Sequence, residues 1–137
     1  MAGDISVFSR TATYLVDVPQ FLRRYLCAMR DVQREDGRFP DVAPLGGGFG
    51  GLLWGSAGIT VPWEVYQQYG DKSLLAEHYK AMCRYVDYVR TKNINPETGV
   101  LEQEKVWGNL GDWLGPEDNK NDKTLMWERT FSMTWTS

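Results

Sequence analysis

The stretch from Ser56 to Lys92, SAGITVPWEVYQQYGDKSLLAEHYKAMCRYVDYVRTK, decides the fold class. Ser56 is placed to cap a helix that Gly70 ends, and Asp71 is placed to cap a second helix that runs to about Lys92. Apolar residues recur every three or four positions in both segments, as they do along one face of a helix. Two helices joined by so short a turn predict a helical hairpin.

The residues before this hairpin predict a second pair of helices. Apolar residues over 5–16 predict one helix, with Val7, Phe8, Ala12 and Leu15 on one side. Asp17 as N-cap, with Pro19 in the first turn, predicts another helix that runs to about Arg34. No segment shows strand-like alternation, so the sequence predicts an all-α fold of stacked hairpins. The apolar stripes are broader than four or five helices can cover, so the full fold needs further helices or self-association.

Length and charge exclude several classes of protein. The 137 residues suffice for about one domain, and 15 Lys and Arg against 18 Asp and Glu give a net charge of -3. Nucleic-acid binders usually carry a basic excess, so we expect no nucleic-acid partner. No apolar run reaches about 18 residues, so we expect no membrane span. The first residues do not resemble a signal peptide, which leaves the chain cytoplasmic as it stands, and a longer parent periplasmic or secreted.

The titratable residues restrict the chemistry. The chain has one histidine, His78, and two cysteines, Cys27 and Cys83, with no metal-binding spacing. This argues against histidine triads and multi-histidine metal sites, and we predict neither a metal nor a cofactor. His78 lies on an apolar helix face and is expected in the core. Carboxylates and aromatic rings remain as the groups that could carry function.

Acidic and aromatic residues recur together in the predicted loops. A loop over 35–51, rich in Gly and Pro, leads to Trp54, and the pair Asp112–Trp113 lies in a later irregular segment. Carboxylates bind or protonate sugar oxygens, and indole faces stack on sugar rings, so these loops are consistent with a sugar cleft. The same residues also allow purely structural roles: Asp36-Gly is a common turn pair, and Trp63 has the spacing of a core residue.

Four motifs occur in a characteristic order: DGRFPD at 36–41, WGSAGITVPW at 54–63, YGD at 69–71 and GDWL at 111–114. This order resembles the catalytic domain of bacterial α-L-rhamnosidases, glycoside hydrolase family 78, whose core is an (α/α)6 barrel of six helical hairpins. The resemblance runs from Gly3 to about Glu128. It implies that residues 1–137 are a fragment with two to three of the six hairpins.

The resemblance also implies an activity and a set of sugar contacts. The family hydrolyses terminal α-L-rhamnosyl residues with inversion, so the implied ligand is a rhamnose-containing glycan or glycoside. Gly3-Asp4 matches the end of the family's RDExxGW-type stretch, and Asp4 then matches an acid that binds sugar hydroxyls. Trp54 and Trp113 match aromatic walls of the sugar pocket, and Asp112 matches the acid of GDWL.

The catalytic pair itself does not match this chain. The family's general acid is the Glu of RDExxGW, which would precede Met1. Its general base belongs to a Trp-Glu motif much further along, and Trp127-Glu128 follows GDWL too early to be that motif. An inverting pair holds its carboxyls roughly 6.5–9.5 Å apart. We therefore expect no catalytic residue within the chain, which would be inactive alone.

The last residues, 129–137, lose the helical pattern of the segment before them. Back-translated and shifted by one base, their codons can encode the amphipathic sequence (Ala/Thr)-Tyr-Phe-Leu-Tyr-Asp-Leu-Asp-Ile. This predicts a frameshift near codon 129 and an out-of-frame tail.

Two alternatives to a rhamnosidase fragment stay open. One is another six-hairpin carbohydrate hydrolase, similar to glucoamylases or glucuronyl hydrolases. The other is a non-enzymatic helical module that binds a partner through uncovered apolar surface.

Overall fold

The computed structural model describes residues 1–48 and 50–101, and in these ranges the fold is helical. It consists of α1 (Ala2–Leu15), α2 (Pro19–Asp31), α3 (Leu52–Gly55), α4 (Ala57–Tyr69) and α5 (Lys72–Lys92). Strand-like pairing in the described ranges is limited to two isolated bridges, Val42 with Gly47 and Ile94 with Leu101. The predicted all-α class is confirmed.

The helices α1 and α4 lie side by side and run parallel. Three side-chain pairs connect them, each 54 residues apart in sequence and one helical turn beyond the last: Ser6 with Thr60 (2.8 Å between hydroxyl oxygens), Arg10 with Glu64 (3.9 Å) and Tyr14 with Gln68. A constant offset in three pairs spaced one turn apart requires that both helices run in the same direction.

The helices α2 and α5 repeat this arrangement. Their connecting pairs are 48 residues apart: Arg23 with Asp71 (2.8 Å), Arg30 with His78 (3.3 Å) and Gln33 with the Ala81 carbonyl (2.9 Å). The central helix α4 contacts α1, α2 and α5. Two successive helix pairs therefore pack in the same orientation, as adjacent hairpins of a helical barrel do.

The end of α4 and the start of α5 lie where the sequence predicts them. Gly70 adopts φ +67°, a left-handed conformation that favours glycine and ends α4. The Asp71 carboxylate accepts the N–H groups of Ser73 (3.0 Å) and Leu74 (3.2 Å) and so caps α5. The hydrogen bond from Ser73, and to a smaller extent the one from Arg23, stabilise the Asp71 carboxylate and lower its pKa to about 2.

Other helix boundaries differ from the predictions. α1 begins at Ala2 rather than near residue 5, and α2 ends at Asp31. Val18, not Asp17, is the N-cap residue of α2, and no side chain caps this helix. Ser56 precedes α4, but its hydroxyl donates to the Leu53 carbonyl (2.8 Å) inside the short α3, a helix that the sequence did not predict.

The core is built around Phe39, which is fully buried although it lies in the 35–51 loop. Its ring packs against His78 (5.9 Å between ring centroids, 9° between planes) and Tyr85 (5.3 Å) on α5. A Cβ at Gly58 of α4 would lie 2.2 Å from this ring, so only glycine fits there. The loop is thus anchored between the two helices of the hairpin.

The apolar side predicted for α1 lies largely in solvent. Val7, Phe8 and Leu15 are 77%, 54% and 67% exposed, whereas Ala2, Ser9 and Ala12 are the buried residues of this helix. Of the four residues predicted on one side of this helix, only Ala12 is buried, with 7% of its surface exposed. The exposed stripe fits the expectation that this chain alone does not cover all of its apolar surface.

Candidate sugar-binding site

The structure brings Asp4 and Trp54 to the same end of the helices. Asp4 lies in the first turn of α1, and Trp54 lies in α3, immediately before α4. Because α1 and α4 are parallel, their N-terminal ends are neighbours. Gly3 packs on the Trp54 indole so closely that a Cβ there would lie 3.1 Å from Cδ1 and Nε1.

The two side chains are accessible to a ligand. Asp4 is exposed, with its carboxylate 3.3 Å from the amino group of Met1, and Trp54 is half-buried beside the core. A carboxylate in solvent accepts hydrogen bonds from hydroxyl groups, and an indole face offers apolar area to C–H groups. A carboxylate and an indole are the two kinds of group that contact sugar rings in proteins.

The 35–51 loop forms the support beneath this pair. The carbonyl of Asp41 accepts the N–H of Ala2 (2.8 Å), and its carboxylate Oδ1 accepts the N–H of Gly51 (2.8 Å). Asp41 is buried, with 7% of its surface exposed. Sequence reasoning noted this residue only as part of a motif, since its partners are distant in sequence.

Arginine side chains fix the start of the loop. The Arg38 guanidinium lies over the Tyr88 ring (5.4 Å) and 3.6 Å from Asp36, whose other carboxylate oxygen accepts the Arg38 N–H (3.0 Å). Arg84 of α5 donates to the Arg34 carbonyl (2.8 Å). Asp36 therefore serves the turn, as its Asp-Gly pair allows.

Two tyrosines near the site remain neutral phenols. Burial raises the pKa of Tyr25, and the charge of Asp4 adds to this shift. Tyr85 is buried, which raises its pKa strongly, and its hydroxyl donates to the Leu52 carbonyl (3.1 Å) at the start of α3.

His78 belongs to the core, as predicted. Burial, followed by the charge of Arg30, lowers the pKa of His78 to about 4. Its Nδ1 accepts a hydrogen bond from Arg30 (3.3 Å), so the ring is a neutral acceptor. Trp63, predicted as a core residue, is only half-buried and lies 5.6 Å from the Tyr66 ring.

Several predictions lie outside the described residues. Asp112, Trp113, Trp127 and Glu128 all follow residue 101. Within 1–48 and 50–101, no group of three His, Cys, Asp or Glu could hold a metal ion. No helix in these ranges is long and apolar enough to cross a membrane.

Comparison with known proteins identifies close similarity to one family. The model of the bacterial α-L-rhamnosidase six-hairpin glycosidase domain matches residues 1–135. An α-L-rhamnosidase of Streptomyces avermitilis is 40% identical over 118 residues, which is 85% of this chain and 11% of that protein. One from Alteromonas sp. is 30% identical over 116 residues, 83% of this chain and 12% of that protein.

Solved structures agree with the sequence matches. The α-L-rhamnosidase of Streptomyces avermitilis complexed with L-rhamnose superposes with a TM-score of 0.80 and 35% identity, covering 97% of this chain and 12% of that one. The enzyme from Dictyoglumus thermophilum gives a TM-score of 0.82 and 30% identity, covering 97% of this chain and 15% of that one. The chain thus spans about an eighth of its relatives.

Proposed function

The chain belongs to the bacterial α-L-rhamnosidase six-hairpin glycosidase domain family, and from this membership we propose that it forms part of the sugar-binding wall of an α-L-rhamnosidase catalytic domain. The complete domain would hydrolyse terminal α-L-rhamnosyl residues with inversion. The ligand class is a rhamnose-containing glycan or glycoside.

The position of Asp4 beside Trp54 carries this proposal. The first turn of α1 rests on the Trp54 indole through Gly3, so the carboxylate and the aromatic face are held at one end of two parallel helices. In the proposed role, Asp4 accepts hydrogen bonds from sugar hydroxyls and Trp54 stacks on the ring. Asp112 and Trp113 would complete the pocket.

The residues of this chain would bind and orient the sugar, while the catalytic acid and base come from elsewhere in the domain. Asp36 and Asp41 are held by the 35–51 loop, where one caps a turn and the other is buried. Neither is placed as a free acid or base. The chain alone is therefore proposed to be inactive.

The exposed apolar stripe of α1 supports a need for neighbouring helices. Val7, Phe8 and Leu15 of α1 are 77%, 54% and 67% exposed, so this helix presents three large apolar side chains to solvent. We propose that further helices of the same barrel cover them. Association between copies of this chain would cover the same surface when those helices are missing.

A chimera tests the activity. The segment of the Streptomyces avermitilis relative that matches this chain is replaced by the matching segment of this chain, and hydrolysis of a chromogenic α-L-rhamnoside is measured. We expect release of rhamnose, with kcat/KM lowered about 100-fold by Asp4→Asn, since Asp4 would bind reacting-sugar hydroxyls. Asp17→Asn, an exposed acid of the same charge, is the control.

The chimera also separates the alternatives. Hydrolysis of an α-glucoside or a glucuronide in preference to the rhamnoside would favour another six-hairpin hydrolase. A folded chimera whose rhamnoside activity is indifferent to both Asp4→Asn and Trp54→Ala would contradict the proposed sugar contacts.

A further inference from the structure

Asp41 connects the two elements that carry the proposed sugar contacts. Its carbonyl accepts the N–H of Ala2, at the start of α1, and its Oδ1 accepts the N–H of Gly51, just before α3, both at 2.8 Å. Asp4 lies in the α1 turn that Ala2 begins, and Trp54 lies in α3. A single residue is therefore bonded to both supports of the site.

The position of Asp41 is itself fixed from two sides. Gly48 adopts φ +90°, and a Cβ there would lie 2.2 Å from the Asp41 Oδ2, so the loop backbone closes tightly over the carboxylate. On the other side, Phe39 is fully buried, and Pro40 is buried as well. Asp41 thus follows two buried residues and has little freedom to move.

We propose that Asp41 is a positioning residue for sugar binding, which sets the spacing between Asp4 and Trp54. This inference rests on the proposed function, because it takes those two side chains as the sugar contacts. A displacement of about 1 Å between binding groups is enough to weaken recognition strongly. The two hydrogen bonds that Asp41 accepts, from Ala2 and Gly51, prevent such a displacement, and Asp41 itself does not contact the sugar.

The Asp41 side chain acts through an acceptor oxygen, which makes a conservative variant informative. Asp41→Asn keeps an oxygen that can accept the Gly51 N–H, whereas Asp41→Ala leaves that N–H without its partner. A positioning role therefore predicts that Asn rescues what Ala disrupts. A requirement for the negative charge alone predicts that Asn and Ala behave alike.

The test uses the full 137-residue chain labelled with ¹⁵N. The indole N–H resonance of Trp54 is assigned by its loss in Trp54→Phe, and the backbone amide of Gly3 is followed beside it. We expect Asp41→Ala to shift both resonances and Asp41→Asn to leave them near their wild-type positions. Asp36→Ala, on the same loop but bonded to Arg38, is the matched control and should shift neither.

Titration with L-rhamnose adds the functional measurement. In the chimera described above, Asp41→Ala should weaken binding of L-rhamnose about tenfold, the effect of losing one buried hydrogen bond, and Asp41→Asn should not. A wild-type chimera that does not bind L-rhamnose contradicts the proposed function, while the Trp54 and Gly3 resonances of the chain still report on Asp41. Unchanged resonances in a folded Asp41→Ala, or unchanged rhamnose affinity, would overturn the positioning role.

Hydrogen exchange covers the case in which Asp41→Ala does not fold. The Gly51 amide should exchange slowly in the wild-type chain and in Asp41→Asn, since both supply an acceptor. Fast exchange at Gly51 in the wild-type chain would show that the hydrogen bond to Asp41 does not form, and this would overturn the positioning role.

Discussion

The helices α1 and α5 have similar apolar periodicity, but the apolar residues compared here are buried in α5 and exposed in α1. In α5, Leu74, His78 and Tyr85 are buried, and the rings of His78 and Tyr85 pack against Phe39 of the loop. In α1, Val7 and Phe8 are exposed to solvent. The comparison teaches that periodicity identifies a helix and its apolar face but not the neighbour that covers this face. For α5 the neighbours are α2, α4 and the loop; for α1 we propose that they are further helices of the barrel.

Phe39 of the loop, which packs against α5, and Phe8 of α1 give the sharpest contrast. Phe39→Ala should lower the free energy of unfolding by about 4 kcal/mol, because it empties the centre of the core. Phe8→Ala should change it by less than about 0.5 kcal/mol, since Phe8 is exposed. Urea unfolding of both variants measures the difference. Equal losses would mean that Phe8 packs in the folded chain.

Acid should weaken the buried region through His78. Its folded pKa of about 4 lies below the ordinary 6.5, so the native state favours the neutral ring. The stabilisation is full above pH 6.5 and is lost as the pH falls towards 4, by up to roughly 3 kcal/mol. Unfolding free energies of the wild type and His78→Gln should converge over this range.

The ring signals of His78 check this assignment independently. His78 is the only histidine in the chain, so its proton resonances can be followed by NMR without ambiguity. A midpoint near 6.5 in the folded protein would contradict burial of the ring beside Arg30.

Gly58 tests how tightly the loop is anchored. Gly58→Ala should cost about 2 kcal/mol, because its Cβ would lie 2.2 Å from Phe39. Gly47→Ala is the control: a Cβ there meets no atom within 4 Å, and stability should be nearly unchanged. Thermal unfolding monitored by circular dichroism compares the two. A neutral Gly58→Ala would show that the core can relax around Phe39.

The helix caps provide the smallest effect. Asp71→Ala should cost about 1 kcal/mol, because it removes the acceptor for two N–H groups at the start of α5. Asp17→Ala should cost almost nothing, since Asp17 does not cap α2. Equal losses in chemical denaturation would restore the cap that the sequence predicted at Asp17.

Local signals in the sequence account for the features that were predicted correctly. Gly70 and Asp71 act on backbone groups within three residues, so the bounds of α5 follow from the sequence. The four residues of α3 are too few to show a helical period, and Asp17 lost its predicted role because α2 begins one residue later than a cap at Asp17 requires.

The candidate site was less accessible to such reasoning. Asp4 and Trp54 were identified through resemblance to a family, because nothing local relates residues 50 positions apart. Asp41 bonds Ala2 and Gly51, and the half-buried Tyr25 lies near enough to Asp4 for that charge to raise its pKa. Only the packed helices bring these groups together.

The most direct measurement of the central claim is complementation. The 137-residue chain is mixed with the Streptomyces avermitilis relative from which the matching segment has been deleted, and association and α-L-rhamnoside hydrolysis are measured together. We predict that both appear on mixing, and that Phe8→Asp with Leu15→Asp abolishes both while the variant chain stays folded. Association that is equally strong with and without these substitutions would contradict the claim that the exposed face of α1 joins the chain to the rest of its barrel.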